Sequence, residues 1–227
     1  MSKLAHISGV GKTSFSDLPQ SFAEALRHSA ENRVDSGVTL LDRSGKGGDR
    51  RSYAELLSMV EDSVGRWRSL GVRAGDRVLL CLPTSWDFIE AWLGLICLGA
   101  HPAAIANAAG GLGASSNFAD RLGKYCAVIG AERIVIGDRM AQDLRDQHAE
   151  GVGRMVLTPD EVSSQEIGDR TLVESKWDDL AFLQFTSGST GMPRAVKIEH
   201  GMAIHNSYAI NEGIGRRFGA PVTEVAE

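Results

Sequence analysis

Apolar positions recur at two spacings along this chain. From Leu18 to Asn32 the residues Phe22, Ala25, Leu26 and Ala30 fall near helical spacing, which predicts a helix. Val38 to Asp42 reads as a strand. Ser44 to Asp49 (SGKGGD) reads as a turn closing a hairpin onto Arg50 to Tyr53. Ser52 and Glu55 have the spacing of a capping box, and the helix they open carries Leu56, Leu57, Val60, Val64 and Trp67. Gly71 is its expected stop. Asp76 to Leu82 (DRVLLCL) is apolar without alternation, as in a parallel strand covered on both faces. An apolar helix is expected from Ser85 to Leu98, ended by Gly99, and a strand from His101 to Ala106 (HPAAIA). That order makes a βαβ unit. Beyond a Gly/Ala/Ser loop at 107–116, a helix is expected over Asn117 to Val128. A strand over Arg133 to Ile136, a polar helix over Asp138 to His148 and a short strand over Met155 to Leu157 follow. Thr158 to Lys176 is acidic and hydroxyl-rich and reads as a loop or linker. A last helix starts near Gly201. The fold class is α/β.

Composition changes this picture little. At 227 residues and 43% hydrophobic content the chain can bury a core. A net charge of −5 without a basic face argues against nucleic acid as a partner. Cys81, Cys97 and Cys126 stand singly in apolar surroundings, which suits buried thiols of a reducing compartment. No apolar stretch is long enough to span a bilayer, and no signal-peptide core is visible at the N-terminus. A cytoplasmic protein is the expectation. Met1 to Asp17 is expected to be mobile.

The chemistry concentrates in Leu180 to His200, LAFLQFTSGSTGMPRAVKIEH. Leu180 to Phe185 reads as a buried strand. Val196 and Ile198 alternate with Lys197 and Glu199 in a second strand over Arg194 to Glu199. Between them, Thr186 to Gly191 (TSGSTG) holds only hydroxyls and glycines. Thr186, Ser187, Ser189 and Thr190 offer hydroxyls, while Gly188 and Gly191 leave backbone N–H groups open to a polyanion. Pro193 stiffens the exit, and Arg194 adds a guanidinium suited to phosphate oxygens. The residues describe a loop that wraps a nucleotide triphosphate. An ordinary Ser/Gly turn is the plainer alternative.

A second glycine stretch, Gly9 to Ser14 (GVGKTS), invites a Walker A reading. The glycine that motif needs upstream is replaced by His6, and no apolar strand precedes it. His200 reads as a capping or packing residue at a helix start, and His101 as structural. Asp178 and Asp179 are adjacent, so on a strand they would face opposite sides and form no acid/base pair. The four tryptophans suit helix faces and core.

TSGSTG followed by a proline and a cation, between two strands, closely resembles the phosphate loop of the adenylate-forming enzymes. Arg194-Ala195 stands where that superfamily usually has Lys-Gly. The order of Ser52 to Leu56, Val78 to Pro83, Trp86 to Leu98, Gly99-Ala100 and Pro102 to Ala106 is also that of the superfamily. Together the resembling stretches run from about Leu18 to His200. Leu183-Gln184-Phe185-Thr186, and Gly110-Gly111 with Ala119-Asp120-Arg121-Leu122, resemble the fatty acyl-AMP ligases in particular.

The resemblance implies the N-terminal part of the large domain, with mostly parallel sheets flanked by helices. Residues 18–227 would be a partial AMP-binding domain without the C-terminal lid. It implies ATP with Mg2+ as cofactor, and activation of a carboxylic acid, expected to be a fatty acid, to an acyl-adenylate. An acyl carrier protein or coenzyme A would accept the acyl group. Thr186, Ser187, Gly188, Ser189, Thr190, Gly191 and Arg194 would bind the ATP phosphates, with no proton-transfer residue among them. Residues 1–227 alone are expected to be inactive, and the missing C-terminal portion would be a partner. The competing reading is a non-catalytic half-domain that binds a nucleotide or a partner.

Overall fold

The computed structural model describes residues 18–42, 45, 47–105, 116–186 and 193–218, the side chains of 116–117 and 212–218 excepted. The 1–17 segment, the Walker-like stretch Gly9 to Ser14, the loop 106–115 and the end 219–227 lie outside the described residues.

Helix α1 (Phe22–Asn32) opens at Ser21, whose hydroxyl accepts the Glu24 N–H. Strands β1 (Gly37–Leu41) and β2 (Gly48–Ser52) pair antiparallel as the expected hairpin. The Ser52–Glu55 capping box then opens α2 (Tyr53–Ser69), and Gly71 follows its end at φ +77°. Strand β3 (Arg77–Cys81), helix α3 (Trp86–Cys97) and strand β4 (His101–Ala104) form the βαβ unit, with Gly99 at φ +82° between helix and strand. The chain continues as α4 (Ser116–Ile129), β5 (Arg133–Ile136), α5 (Asp138–Gln147), a 3-10 turn (Val152–Met155) and β6 (Val156–Leu157). Helix α6 (Pro159–Ser163), β7 (Leu180–Thr186), β8 (Arg194–Glu199) and α7 (His200–Phe218) complete it.

Six strands make one sheet in the order β6-β5-β3-β4-β7-β8. All neighbours are parallel except β7 and β8. The unbroken apolar run of β3 is explained by its central place. Val78 and Leu80 face one core with α1, α2 and α3, while Leu79 and Cys81 face the other with α4 and α5. Each of these four is 0% exposed. All three cysteines are buried thiols outside any disulfide. At the start of adjacent strands, Arg77 donates to the Ile129 carbonyl (2.7 Å) and Arg133 to the Leu70 carbonyl (3.2 Å). Each guanidinium thus meets the C-terminal end of a helix, where carbonyls lack partners.

The stretch 158–176 departs from the loop expected of it. Thr158 caps α6, with Glu161 reaching back and Pro159 at the first helical position. Arg145 holds Glu161 at 2.7 Å. The residues that follow form a strap over α2. Arg68 pairs with Asp169 (3.0 Å), Arg170 with Asp62 (2.6 Å), and Val173 donates to the Cys97 carbonyl (2.8 Å). Leu172 is buried beneath it. Polar composition hid this packing, because the strap is held by ion pairs and backbone bonds more than by apolar side chains.

Two smaller expectations also change. Asp178 and Asp179 lie in a turn before β7, since the Asp179 carboxylate accepts the Lys176 N–H (2.7 Å) and holds the chain bent. Trp177 sits in that turn and not on a helix. Trp67 is in the core, and Trp86 and Trp92 are on α3. No described helix is long and apolar enough to cross a membrane.

Candidate functional site

The hairpin β7–β8 carries the site. Its register pairs Phe182 with Ile198, Leu183 with Lys197, Gln184 with Val196, Phe185 with Ala195 and Thr186 with Arg194. Alternation sends neighbouring residues to opposite faces. Phe182 meets Trp92 of α3 (ring centroids 4.9 Å) and Phe22 of α1 (6.4 Å). Phe185, on the other face, packs edge-on against Tyr125 of α4 at 4.7 Å. The hairpin is therefore gripped from both helical layers just below its tip. The grip by Tyr125 was not read from the sequence, although Tyr125 falls on the apolar stripe of α4 with Leu122.

Thr186 and Arg194 end the ladder on the two sides of the tip, and both are exposed. The Thr186 hydroxyl donates to the Arg194 carbonyl at 3.5 Å. Ser187, Gly188, Ser189, Thr190 and Gly191 lie outside the described residues. The structure thus places two of the expected phosphate-binding residues, side by side at the neck of the loop. That neck leaves the sheet at the C-terminal end of β7, and β3 and β4 run parallel to β7. Open parallel sheets bind ligands at that end. Arg194 has no carboxylate partner among the described residues.

At the opposite end of β8, His200 is 2% exposed and opens α7. Its Nδ1 accepts the Phe22 N–H at 3.2 Å, and its ring stands edge-on to Phe22 at 5.5 Å. Burial holds this imidazole down at about 4. Asp179 pulls it up, and His101 pushes it down further. Burial lowers His101 too. Both histidines sit at the end of the hairpin opposite Thr186 and Arg194, where His200 packs on Phe22.

Among the described residues no three His, Cys, Asp or Glu side chains converge as a metal site. An open groove of about 720 Å³ runs between α4 and the end of α5, past Lys124 and His148, with no residue of the hairpin lining it.

Comparison with known proteins agrees with this fold. The family model described as AMP-binding enzyme matches residues 26–225. The chain is 32% identical over 206 residues to pyochelin synthase PchD of Pseudomonas aeruginosa, covering 86% of this chain and 36% of that protein. It is 27% identical over 183 residues to a salicyl-AMP ligase / salicyl-S-ArCP synthetase of Mycobacterium tuberculosis, covering 74% of this chain and 31% of the relative. It therefore spans about a third of the length of these curated relatives. Among solved structures, one from a study of fatty acyl-adenylate ligases from E. coli and L. pneumophila superposes with TM-score 0.70 at 26% identity, over 87% of this chain and 35% of that one. The adenylation domain of a keto acid-selecting NRPS module, at 20% identity, shares the fold with TM-score 0.74 over 92% of this chain and 38% of its own.

Proposed function

Because the chain belongs to the AMP-binding enzyme family, we propose that it supplies the phosphate-binding part of a ligase that adenylates a carboxylic acid. The observation that carries this reading is the neck of the β7–β8 hairpin. It sets Thr186 against Arg194 at the C-terminal end of a parallel sheet, with the guanidinium unpaired by any described carboxylate.

The reaction follows the family's chemistry. A carboxylate oxygen attacks the α-phosphate of ATP. The bond from that phosphorus to the bridging oxygen breaks, and pyrophosphate leaves with its electron pair. An acyl-adenylate remains, and a thiol of a carrier protein or of coenzyme A then displaces AMP. Charge grows on the departing pyrophosphate. Hydroxyls and N–H groups of Thr186 to Gly191 and the Arg194 guanidinium would hold that charge as it forms. Mg2+, bound mainly through substrate phosphates and water, would neutralise part of the same charge, and such an ion needs no protein cage.

The acid we infer is a fatty acid. Leu183-Gln184-Phe185-Thr186 and the likeness at 26% identity to a fatty acyl-adenylate ligase structure support it. An aromatic carboxylic acid is the second reading. It is favoured by relatives named as a salicyl-AMP ligase and a 2,3-dihydroxybenzoate-AMP ligase. A cytoplasmic location belongs with either.

The test is ATP–pyrophosphate exchange by the polypeptide extended to its relatives' length, with long-chain fatty acids and hydroxybenzoates offered in turn. Exchange driven by the fatty acid, and transfer to a carrier protein in preference to coenzyme A, is expected. Exchange driven only by hydroxybenzoates moves the assignment to aromatic acids. Binding of ATP without exchange for any acid would leave a non-catalytic nucleotide-binding module. Residues 1–227 alone are expected to give no exchange above a loop variant.

A further inference from the structure

The base of the hairpin is fastened by a group that can lose its fastening. We propose that the His200–Phe22 hydrogen bond is an acid-released latch, which ties the start of α7, and with it the β7–β8 hairpin, to the N-terminus of α1.

Phe22 is the first residue of α1, so its N–H has no acceptor within the helix. Ser21 serves two other donors of that turn, its hydroxyl taking the Glu24 N–H and its carbonyl the Ala25 N–H. Among the described residues the Nδ1 lone pair of His200 is what takes the Phe22 proton, across 178 positions of sequence. An imidazole accepts at Nδ1 only while neutral, with its proton on Nε2. Protonation turns the acceptor into a donor facing a donor, so the charged ring and the bond cannot coexist.

The surroundings do not rescue the charged form. The ring is buried against Phe22, which also meets Phe182 of β7. Ser21 and Phe22 of α1 carry no charge, and neither does Phe182. The titratable groups that act on the ring are Asp179, from the turn before β7, and His101, from β4. Asp179 already spends its carboxylate on the Lys176 N–H and its carbonyl on the His200 N–H. His101 Nδ1 is itself buried with no hydrogen-bond partner among the described residues, and a charge on either imidazole makes a second less welcome. The depressed affinity of His200 for protons agrees with the geometry. Release therefore draws a proton from solution. The latch does not depend on the chemistry proposed for the loop.

Amide hydrogen exchange of the chain tests this, with protection factors corrected for the intrinsic effect of pH. The Phe22 amide should lose protection about tenfold per pH unit between roughly pH 6.5 and 4, the slope of one linked proton. The Leu79 amide, in the central strand, should stay protected over the same range. In His200→Asn the side-chain oxygen can stand in for Nδ1 and does not titrate, so the Phe22 slope should vanish. Nitrogen-15 spectra of neutral His200 should place its proton on Nε2. A proton on Nδ1, a flat Phe22 profile, a Phe22 loss in step with Leu79, or an equal slope in His200→Asn would each overturn the latch. If His200→Asn fails to fold, the Phe22–Leu79 comparison and the tautomer in the unaltered chain decide.

Discussion

Thr186 and Arg194 face each other across the last pair of the β7–β8 ladder, so the two ends of the loop between them are held at one strand spacing. In the proposed role Arg194 would therefore work from a backbone fixed by this pairing. Arg194→Ala should weaken ATP use by about 1.5–3 kcal/mol, the range for a hydrogen bond to a charged group. Arg194→Lys should be mild, because the charge survives. Gly188→Val or Gly191→Val should abolish adenylation while the thermal midpoint barely moves. Pyrophosphate exchange by the polypeptide extended to its relatives' length, read against calorimetry, checks all four. Unchanged exchange in Arg194→Ala would show that the guanidinium contributes nothing.

Gly94 and Ser63 set how closely α2 and α3 approach. A Cβ on Gly94 would overlap the Ser63 hydroxyl and lie 2.7 Å from its Cβ. Rotating the hydroxyl relieves only part of that clash. Gly94→Ala should destabilise by about 1–3 kcal/mol, as overpacking does. Adding Ser63→Gly should recover much of the loss despite its helix-propensity cost. Urea unfolding of the single and double variants measures the coupling, and strictly additive effects would contradict the clash.

Thr158 caps α6 and is 6% exposed. Thr158→Ala should cost about 1 kcal/mol. Thr158→Ser should cost less, since it keeps the oxygen that accepts the Glu161 N–H. Protease nicking near residue 165 should rise in step with that loss. Equal resistance in both variants would mean that α6 is held by its other contacts.

Stability should fall as pH drops from about 6.5 towards 4. His200 and His101 both take protons less readily folded than unfolded. The unfolded chain then binds more protons in that window, and acid favours it, by up to about 1.4 kcal/mol per pH unit for one such group. Glu161, lowered by its hydrogen bond from Arg145, adds to the loss only at the acid end, below its ordinary value of 4.5. Glu90 works against them, since burial raises its affinity for a proton and acid favours its folded form. Urea midpoints at pH 7, 6 and 5 should decline for the unaltered chain. For His200→Asn they should decline less, and parallel declines would remove His200 as a source.

The features legible in the sequence were the local ones. Ser52 with Glu55, Gly71, and Ser85 with Gly99 announce the ends of α2 and α3 through capping chemistry that acts within a few residues. The apolar run of β3 announced burial on both faces. The strand order was not legible, because it depends on pairings such as Val78 with Arg133 that no local pattern encodes. Helix α6 was legible and overlooked. Thr158-Pro159-Asp160-Glu161 has the capping box and the proline, but only Val162 of so short a helix is buried. At the site, the two strands and the neck residues could be read from alternation and turn chemistry. The Tyr125–Phe185 contact and the His200 bond could not, since each joins elements far apart in the chain.

The strap over α2 bears on how the chain could be divided. It carries the polypeptide from β6, at one edge of the sheet, to β7 near the other, and several of its side chains lie in the open between residues 164 and 171. The two pieces on either side share the sheet, where β4 pairs with β7. A cut through the strap would therefore sever the connection and leave the architecture joined. The same place is where a two-part version, reassembling only when both parts are present, should be divided.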